Sequence, residues 1–445
     1  MEYSHKDEPA LLSKLGIEEL NEMQSKAKAV IASSANTVIL SPTGSGKTLA
    51  FLLPLLKFIN HDLEQVQAVV IVPTRELAIQ IEQVARNLGA GIKVNAVYGG
   101  RSGAKDRTEM KSAPALLIGT PGRLADHFRR ESISIADVKV LVLDEFDKSL
   151  EIGFEKEMME IASLLPNLER RILTSATALE TLPEFLNIKN PEYINFLDVA
   201  KPALKIQNVC SPTKDKLEAL KSLILHIGNQ PGVIFCNFKE SIDRVSEFLD
   251  EAGISHGIFH GGLEQKDRER SLIKFRNGTY QLLLATDLAA RGIDIPEIRF
   301  IVHYHLPNRE EEFVHRNGRT ARMNNDGTAY VLYSKDDRLP DYVKIDASNS
   351  INSDDLSPTE DIPKTNWRTV FVSGGRKDKI SKGDIAGLFM KQGGLTKDEL
   401  GIIELKSDCA FVAVDSKKAH ALVTAVSETK LKKKKVRVTI LGLLK

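Results

Sequence analysis

Ser41-Pro-Thr-Gly-Ser-Gly-Lys-Thr48 lies between an aliphatic run, Thr37–Leu40, and a helix-like stretch that begins near Leu49. Its glycines let the backbone wrap so that N–H groups face an anion, and a helix N-terminus adds partial positive charge. In such a strand–loop–helix unit, Lys47 would reach the β- and γ-phosphates of a nucleotide and the Thr48 hydroxyl would bind Mg²⁺. The stretch therefore predicts a phosphate-binding loop at the end of a strand in a parallel sheet.

The surrounding sequence alternates short aliphatic runs with helix-like stretches, which is typical of buried parallel strands joined by crossover helices. Up to about Leu197 the runs are Thr37–Leu40, Ala68–Val72, Leu116–Ile118, Val138–Leu143 and Arg171–Leu173. The pattern restarts with Gly232–Cys236, Gln281–Ala285, Phe300–His303 and Ala329–Leu332. We predict two tandem α/β domains with parallel sheets, residues 1–198 and 205–345, joined near Asp198–Pro212, where prolines and polar residues interrupt the pattern.

A second boundary lies at residues 346–365, which are acidic and rich in Ser, Asn, Asp and Pro. Such a segment buries too little apolar surface to order itself, so we predict a flexible linker. Residues 366–445 then predict a small α+β domain. Its strands are Thr369–Val372, Gly401–Leu405, Cys409–Val414 and Lys435–Leu441, and its helices are Lys382–Met390 and Ser416–Val426.

A pair of acids follows the aliphatic run Val138–Leu143, which leads directly into Asp144-Glu145-Phe146-Asp147. Asp144 would hold Mg²⁺, a cation that prefers oxygen ligands and keeps much of its hydration shell. Glu145 would then orient and polarise the attacking water. The alternative is a polar strand end that caps the next helix, and pairing with the phosphate loop favours the catalytic interpretation.

Phosphoryl transfer also needs cations that stabilise charge on the transferred group. The segment His315-Arg-Asn-Gly-Arg-Thr-Ala-Arg322 supplies three arginines, with Asp287 and Asp294 upstream of it. Acids for Mg²⁺ or ribose and arginines for phosphate predict a site that both α/β domains close. A salt-bridged helix face is the alternative.

The charge distribution is uneven along the 445-residue chain, whose formal net charge is only +1. Residues 366–445 contain 17 Lys+Arg and 8 Asp+Glu, so they carry +9 and the rest of the chain carries −8. A basic module on an acidic body fits nucleic-acid binding, although a solvated basic surface remains open. The three scattered cysteines, the polar N-terminus and the short apolar runs predict a cytoplasmic protein without disulfides, a zinc site or a membrane span.

An ordered set of motifs in this sequence resembles the DEAD-box RNA helicases over residues of about 10 to 340. The motifs are Thr43–Thr48, Pro73–Ala78, Gly99–Gly100, Thr120–Arg123, Asp144–Asp147, Ser175–Thr177, Ala285–Asp294 and His315–Arg322. The resemblance implies two RecA-like domains, ATP with Mg²⁺, and RNA as the polymer substrate.

The resemblance also implies roles for individual residues. It assigns Gln24 to adenine, Asp294 to ribose, Arg319 and Arg322 to the transferred phosphate, and Asp144, Glu145 and Lys47 to catalysis. The remaining phosphate-loop positions are Thr43, Gly44, Ser45, Gly46 and Thr48. RNA backbone contacts fall on Arg75, Gly100, Thr120, Arg123, Gln265, Arg268 and Thr286, and coupling between hydrolysis and strand separation falls on Ser175, Thr177, Asp147 and His315.

Three positions depart from the family pattern. Phe146 replaces the alanine of the acidic motif, so the packing behind the acids must differ. The region upstream of Gln24 has Asp7 and Glu8 instead of the aromatic residue that stacks on adenine, which predicts looser purine specificity. Ser41 replaces a small alanine, a mild change.

The C-terminal segment resembles the RNA-binding domain of the DbpA-type helicases, a variant of the RNA-recognition motif. The similar stretches are Gly375–Ile385, Gly393–Leu395, Cys409–Val414 and Lys430–Val438. The resemblance implies binding to a hairpin of large-subunit ribosomal RNA and a role in ribosome assembly. Because Cys409 and Val414 stand where aromatics would stack on bases, we expect lysine, arginine and loop contacts instead. Lys432–Lys435 would belong to this surface, or form a solvated turn, while Trp367 and Phe371 are expected in the core.

The combined hypothesis is an ATP-driven clamp of two domains that bends RNA and unwinds short duplexes locally, acting as a monomer. The basic domain, tethered by the linker, would raise the local concentration of the target RNA. The alternative is an ATP-gated RNA clamp or assembly scaffold in which Phe146 has compromised hydrolysis. A small-molecule kinase leaves the second domain and the basic segment unexplained.

Overall fold

Parallel sheets whose central strands are short and buried form the two α/β domains. The computed structural model describes residues 8–42, 44–100, 110, 112–178, 181–197, 204–287, 298–320, 327–344, 349–357 and 365–442. The chain divides near residue 201 into two compact units. Across the described residues, no helix has both the length and the apolarity that crossing a membrane requires.

The first unit contains a seven-stranded parallel sheet with the order β3-β4-β2-β5-β6-β1-β7. Its strands are β1 Asn36–Leu40, β2 Ala68–Ile71, β3 Val94–Val97, β4 Leu116–Gly119, β5 Val140–Leu143, β6 Arg170–Ser175 and β7 Glu192–Asn195. Its helices are α1 Glu8–Lys14, α2 Glu22–Ser33, α3 Lys47–Leu55, α4 Arg75–Leu88, α5 Pro121–Arg129, α6 Phe146–Ile152 and α7 Glu155–Leu164. Alternate side chains along the strands pack into two separate hydrophobic clusters, one on each face of the sheet.

The second unit begins with another seven-stranded parallel sheet, whose order is β10-β11-β9-β12-β13-β8-β14. Its strands are β8 Leu204–Ser211, β9 Gly232–Phe235, β10 His256–Phe259, β11 Leu282–Ala285, β12 Phe300–His303, β13 Gly327–Ser334 and β14 Ser350–Asn352. Its helices are α8 Leu217–Ile227, α9 Lys239–Glu251, α10 Gln265–Arg276 and α11 Glu310–Asn317. Counted from its own first strand, this sheet has the same strand order as the first, so the two α/β domains share one topology.

The same unit ends in a four-stranded antiparallel sheet with the order β16-β17-β15-β20. Its elements are β15 Trp367–Val372, α12 Lys382–Lys391, β16 Leu400–Leu405, β17 Ala410–Asp415, α13 Ala419–Val426 and β20 Val438–Ile440. A separate hairpin, β18 Thr429–Leu431 and β19 Lys434–Val436, precedes β20. Two RecA-like parallel-sheet domains and a small RRM-like α+β domain are the predicted fold class, and the structure confirms it.

Two segments that were expected to lack regular structure contain strands. Strand β8 occupies most of the predicted junction at Asp198–Pro212, and β14 lies within the predicted flexible linker, 346–365. Strand β14 pairs with β8 at the edge of the sheet, and Leu356 packs into the core of the second domain. The expectation of a flexible linker is therefore wrong for residues 349–357. An edge strand needs only backbone hydrogen bonds on one side, so a polar sequence can form it.

Candidate nucleotide and RNA sites

The phosphate loop joins β1 to α3, and its conformation depends on glycine. Gly44 and Gly46 have φ angles of 84° and 87°, the left-handed region that glycine adopts at low cost. Helix α3 begins at Lys47, whose Nζ donates to Ser41 O at 2.5 Å and Pro42 O at 2.9 Å. The lysine thus stands at the mouth of the loop, above the N-terminus of α3. Thr48 follows it in the first turn, and Thr43 lies outside the described residues.

Asp144 follows β5 and lies beside the end of β6. The Thr174 hydroxyl donates to Asp144 Oδ1 at 2.5 Å and accepts from the Glu145 N–H at 3.2 Å. Burial, reinforced by the Glu145 carboxylate, raises the pKa of Asp144 to about 6, against the Thr174 hydrogen bond and the positive charge of Lys47. Two acids are therefore held together where water is scarce, which favours a cation between them.

Glu145 has a left-handed backbone, with φ 49° and ψ 50°. A non-glycine residue pays about 1 kcal/mol or more for this conformation, so its surroundings must impose it. Its side chain is 8% exposed, and Oε2 is buried without a hydrogen-bond partner in the described structure. The strain and the unsatisfied oxygen both mark Glu145 as a group poised for a ligand.

Asp147 connects the acidic motif to the segment after β6. Its Oδ2 accepts from the Ala176 N–H at 3.1 Å and from the Thr177 hydroxyl at 3.0 Å. The Ser175 hydroxyl in turn donates to Thr177 O at 2.6 Å. The structure brings together three of the four residues expected to couple hydrolysis to RNA.

Gln24 fastens α2 to the phosphate loop. Its Oε1 accepts from the Asn21 N–H at 3.0 Å, and its Nε2 donates to Gly46 O at 3.2 Å. Asn21 Nδ2 makes a parallel bond to Ser45 O at 3.1 Å. With only 5% of Gln24 exposed, much of its amide is used within the protein, and its role in adenine recognition stays a prediction.

The RNA residues expected in the first domain follow three adjacent strands. Arg75 opens α4, and its guanidinium lies so close to Gly100 that a Cβ there would come within 2.7 Å of Nη1. The Thr120 N–H donates to Val97 O at 3.2 Å, just before the Gly99–Gly100 pair. Arg123 forms an ion pair with Asp126 at 3.2 Å. These residues lie at the carboxyl ends of β2, β3 and β4, where ligands bind in α/β sheets.

The corresponding residues of the second domain also lie at its carboxyl edge. Arg268 Nη2 donates to Gln265 Oε1 in the first turn of α10. The Thr286 N–H, just after β11, donates to Phe259 O at the end of β10. Arg319 is 5% exposed and follows α11, while His315 lies within that helix. Asp294 and Arg322 lie outside the described residues.

Arg316 is a structural residue that the sequence did not single out. Its guanidinium holds Asp287 with two bonds of 2.5 Å and donates to His305 O at 2.5 Å and Asn237 Oδ1 at 2.8 Å. It also lies 5.0 Å from the centre of the Phe235 ring. Asp287 is therefore engaged in an ion pair, not placed for Mg²⁺ or ribose as expected. Three arginines in one short motif gave no sign of which one forms the ion pair with Asp287.

The open face of the C-terminal sheet, the face without helices, packs against α10 and the turn after it. Thr369 is fully buried there, with its hydroxyl 3.2 Å from Asn277 Nδ2 and 2.7 Å from Thr279 Oγ1. Trp367, expected in the core, packs instead against Gly278 of that turn. The face on which ordinary RNA-recognition motifs stack bases is thus covered by protein.

The lysine-rich hairpin lies on another side of the same domain. Lys432 and Lys434 form ion pairs with Asp384 at 2.9 Å and Asp378 at 2.8 Å, next to the N-terminus of α12. Among the described residues no ion pair engages Lys430 or Lys433, and both are exposed. The hairpin is an ordered, partly neutralised basic surface instead of a loose solvated turn.

Comparison with protein families matches three parts of the chain. Residues 21–185 match the DEAD/DEAH box helicase model, 215–324 the helicase conserved C-terminal domain, and 369–440 the DbpA RNA binding domain. The ATP-dependent RNA helicase DbpA of Bacillus subtilis is 30% identical, with 96% of each chain covered. That of Escherichia coli is 33% identical, covering 97% of this chain and 96% of its own. The chain belongs to the DbpA-type DEAD-box RNA helicases.

Solved structures share the fold of the two α/β domains. The S. cerevisiae Dbp5 structure bound to RNA and ADP BeF3 has a TM-score of 0.68, covers 78% of this chain and 93% of its own, and is 24% identical, a likeness of fold alone. Mss116 bound to ssRNA and UDP-BeF has a TM-score of 0.66 at 27% identity, and covers 73% of this chain and 72% of its own. As a DEAD-box helicase, the chain uses ATP, binds RNA and couples the two in an RNA-stimulated ATPase.

Phe146, the departure from the DEAD signature, is fully buried in the cluster that packs on one face of the first sheet. Its side chain therefore points away from the acids that precede it, and both carboxylates keep their places. That the packing behind the acids differs from the rest of the family stays a prediction.

The helicase site also fits Mg²⁺. The donors are the Asp144 carboxylate, the unsatisfied Glu145 Oε2 nearby and the Thr48 hydroxyl, all hard oxygen ligands. Among the described residues no group of three or more His, Cys, Asp or Glu side chains could hold a metal, which excludes an all-protein cage there. Magnesium needs no such cage, since it is commonly held by one or two carboxylates, waters and nucleotide phosphates.

Proposed function

We propose that this helicase hydrolyses Mg²⁺-ATP to open short RNA duplexes locally, and that its C-terminal domain directs it to large-subunit ribosomal RNA during ribosome assembly. The observation that carries the catalytic part is Glu145, a strained acid with an unsatisfied buried oxygen beside Asp144 and the phosphate loop. An acid so placed can accept a proton from an attacking water. The proposal places the protein in the cytoplasm as a monomer.

In the first domain, the loop N–H groups and Lys47 would bind phosphate, and Asp144 and Thr48 would hold a magnesium ion, whose charge would offset that of the phosphates. Glu145 orients the water. Asp147 is hydrogen-bonded both to Thr177 and to the backbone after β6, so a change at the acidic motif can move the segment that begins at Ser175. In the second domain, Arg319 and Arg322 would stabilise charge on the transferred phosphate, and His315 would act with Asp147, Ser175 and Thr177 in coupling hydrolysis to strand separation.

RNA would be gripped by the carboxyl edges of both parallel sheets. The first domain supplies Arg75, Gly100, Thr120 and Arg123, and the second supplies Gln265, Arg268 and Thr286. Because these groups address the sugar-phosphate backbone, affinity for single strands should depend little on sequence and fall with added salt. Bending the gripped strand would release its partner from a short duplex.

The C-terminal domain would bind its ribosomal RNA hairpin through the lysine-rich side. Its sheet face is occupied by α10, which leaves the hairpin β18–β19 and the loop before α12 as the basic surface. Lys430→Glu combined with Lys433→Glu should weaken binding to a large-subunit RNA fragment by about tenfold or more. Lys391→Glu, at the opposite end of α12, is the matched control and should change binding little.

The catalytic proposal is tested by Glu145→Gln, which keeps the side-chain shape but removes the proton acceptor. We expect kcat of the RNA-stimulated ATPase to fall by about 10² to 10⁴, with a longer-lived ATP-dependent complex with RNA. Glu155→Gln, on the exposed face of α7, controls for loss of charge. Unchanged turnover would sink the assignment of Glu145.

The alternative of an ATP-gated clamp with little hydrolysis is not favoured, because the buried Phe146 leaves both acids in place. ATPase assays with and without a polyribonucleotide separate the two possibilities. A comparison of the RNA crosslinked to the intact chain with that crosslinked to a chain truncated before Asn366 tests whether the C-terminal domain directs the helicase to ribosomal RNA. If the ribosomal RNA signal survives truncation, the C-terminal domain does not supply it.

A further inference from the structure

The contact between the C-terminal domain and the second α/β domain is extensive and specific. Thr369 lies at its centre and is completely buried, and its hydroxyl joins Asn277 and Thr279 in one hydrogen-bonded cluster. Buried hydroxyl and amide groups cost free energy unless they find partners. The three hydroxyl and amide-nitrogen groups, Thr369 Oγ1, Thr279 Oγ1 and Asn277 Nδ2, are partners of one another across the contact, whereas Asn277 Oδ1 is buried without a hydrogen bond to any described residue.

Shape complementarity surrounds this polar centre. Gly278 has φ +69°, and a Cβ there would lie 3.3 Å from Trp367 Cδ1, so the tryptophan packs directly over the turn. The Thr365 hydroxyl donates to Gly278 O. Gly278 thus provides both the left-handed turn and the room that the indole ring needs.

Charged groups close the edges of the contact. Arg276, at the end of α10, lies 3.7 Å from Glu404, which faces α10 from β16 and is 11% exposed. Burial alone would raise the pKa of Glu404, but the positive charges of Arg276 and Lys406 lower it overall. Lys274 is 1% exposed and donates from Nζ to Gly442 O. Each of these groups thus has a partner on the other side of the contact, a carboxylate for Arg276 and a backbone carbonyl for Lys274, so charge reversal at Arg276 should oppose docking.

The chain on both sides of the contact is ordered. Residues 349–357 form β14 and place Leu356 in the second domain's core, and β15 begins at Trp367. Only residues 358–364 separate these described segments. The tether expected over twenty residues is therefore much shorter, and both of its ends are attached to the same unit.

Helix α10 carries the contact at one end and two proposed RNA residues at the other. Gln265 and Arg268 lie in its first turn, whereas Arg276 ends it. At 1.5 Å per residue, Gln265 and Arg276 are about 17 Å apart along the helix. One rigid helix thus fixes the distance between the docked domain and the proposed RNA grip.

We propose that the open face of the C-terminal sheet is a permanent docking surface for α10 and its following turn, so that the C-terminal domain is a fixed arm of the second domain. The helicase would then act only on duplexes at a set spacing from the RNA element that the arm holds. The spacing rule rests on the proposed function, whereas the docking itself does not.

Docking can be measured through Trp367, the single tryptophan of the chain. In the full-length protein, Thr369→Glu buries a carboxylate at the centre of the contact, and Arg276→Glu sets two acids against each other. We expect both to increase acrylamide quenching of Trp367 by about twofold or more, and Glu404→Arg to restore protection in the Arg276→Glu protein. Arg244→Glu, which breaks the exposed Arg244–Asp215 pair of the same domain, should have no effect. Quenching that is the same in Thr369→Glu and wild type would overturn the docking.

The spacing rule is tested by inserting ten glycine and serine residues after Ile362. The probes are large-subunit RNA hairpin fragments joined to a short duplex by single-stranded spacers of increasing length. A fixed arm predicts that the preferred spacer is unchanged by the insertion but that the preference, about tenfold between best and worst spacers, is lost in Thr369→Glu. A tether predicts the opposite, a preference that broadens with the insertion, and that result would overturn the fixed arm.

The controls separate this inference from the function on which it rests. ATPase stimulated by an unstructured polyribonucleotide should be unchanged in all five altered proteins, because none changes the proposed catalytic or RNA-gripping residues. If the wild-type protein unwinds the duplex equally well without the hairpin, the proposed targeting to ribosomal RNA is wrong, and so is the spacing rule that depends on it. The quenching result would still decide whether the domain is docked.

Discussion

The two parallel sheets share one strand order but treat their acidic residues differently. At the edge of the first sheet, Asp144 and Glu145 are buried together, and within the described chain no ion pair joins either to a cation. At the edge of the second, both carboxylate oxygens of Asp287 accept hydrogen bonds from the Arg316 guanidinium, through Nε and Nη2. At the corresponding edge of the same fold, the acids are therefore left available for a ligand where no arginine pairs with them, and are held in a structural ion pair where one does.

The largest expected effect on stability is at the arginine of the second sheet. Arg316→Ala should lower the free energy of unfolding of the second unit by about 3 to 5 kcal/mol, because Asp287, Asn237 Oδ1 and His305 O all lose a buried partner. Urea unfolding measures it, with Arg244→Ala, an exposed ion pair expected to cost about 1 kcal/mol or less, as control. A loss below 1 kcal/mol at Arg316 would contradict the contrast between the edges.

The next largest expected effect is a loss of stability of the second domain as the pH is lowered. Burial, with the charges of Arg316 and neighbouring Lys216, lowers the pKa of His303 to about 3 and of His305 to about 4. Since the unfolded chain binds these protons near pH 6.5, stability is full above that pH and falls as the pH drops toward the folded values. Between pH 7 and 5.5 we expect a loss of about 2 kcal/mol, reduced in His303→Gln. A flat profile would show that the histidines are not held neutral.

Removing the charge of Asp144, at the edge of the first sheet, should change the free energy of unfolding in the opposite direction to the Arg316→Ala substitution. Burial raises the pKa of Asp144 to about 6, so its charge opposes folding at neutral pH. Asp144→Asn should therefore keep the free energy of unfolding or raise it by about 1 kcal/mol, while the ATPase falls by about 100-fold or more. The matched change Asp287→Asn should destabilise instead. Equal stability losses in the two variants would remove the distinction.

The smallest effect concerns Gln24, which fastens α2 to the phosphate loop. If that clasp is its main role, Gln24→Ala should lower kcat/KM by about fivefold for ATP, GTP and UTP alike, which corresponds to about 1 kcal/mol of lost hydrogen bonding. If Gln24 instead recognises adenine, kcat/KM should fall for ATP but not for GTP or UTP. A change confined to ATP would return Gln24 to the role that the sequence predicted.

The sequence predicted the architecture well where strands are continuous aliphatic runs, because such runs must be buried on both faces. It missed Val94–Val97 and Glu192–Asn195 at the edges of the first sheet and His256–Phe259 at an edge of the second, where alternate or polar residues suffice. The motifs placed the proposed nucleotide and RNA residues at the carboxyl edges of the sheets because each motif follows a strand; their roles stay predictions. They could not show that Arg316, Thr174 or Asn21 would supply the supporting bonds, since these bonds join elements that are distant in sequence. The contacts of Thr369 with Thr279 and of Trp367 with Gly278 likewise depend on tertiary packing, which no local pattern predicts.

The burial of Phe146 bears on how the acidic signature should be read in other sequences. Two of its letters, Asp144 and Glu145, are chosen for the oxygens they bring to a cleft, whereas the third is chosen for the volume it occupies on the far side of the sheet. A search that demands all four letters alike would discard proteins whose chemistry is intact. A search that allows substitution at the third position but requires the two acids at the first and second positions would find more of them.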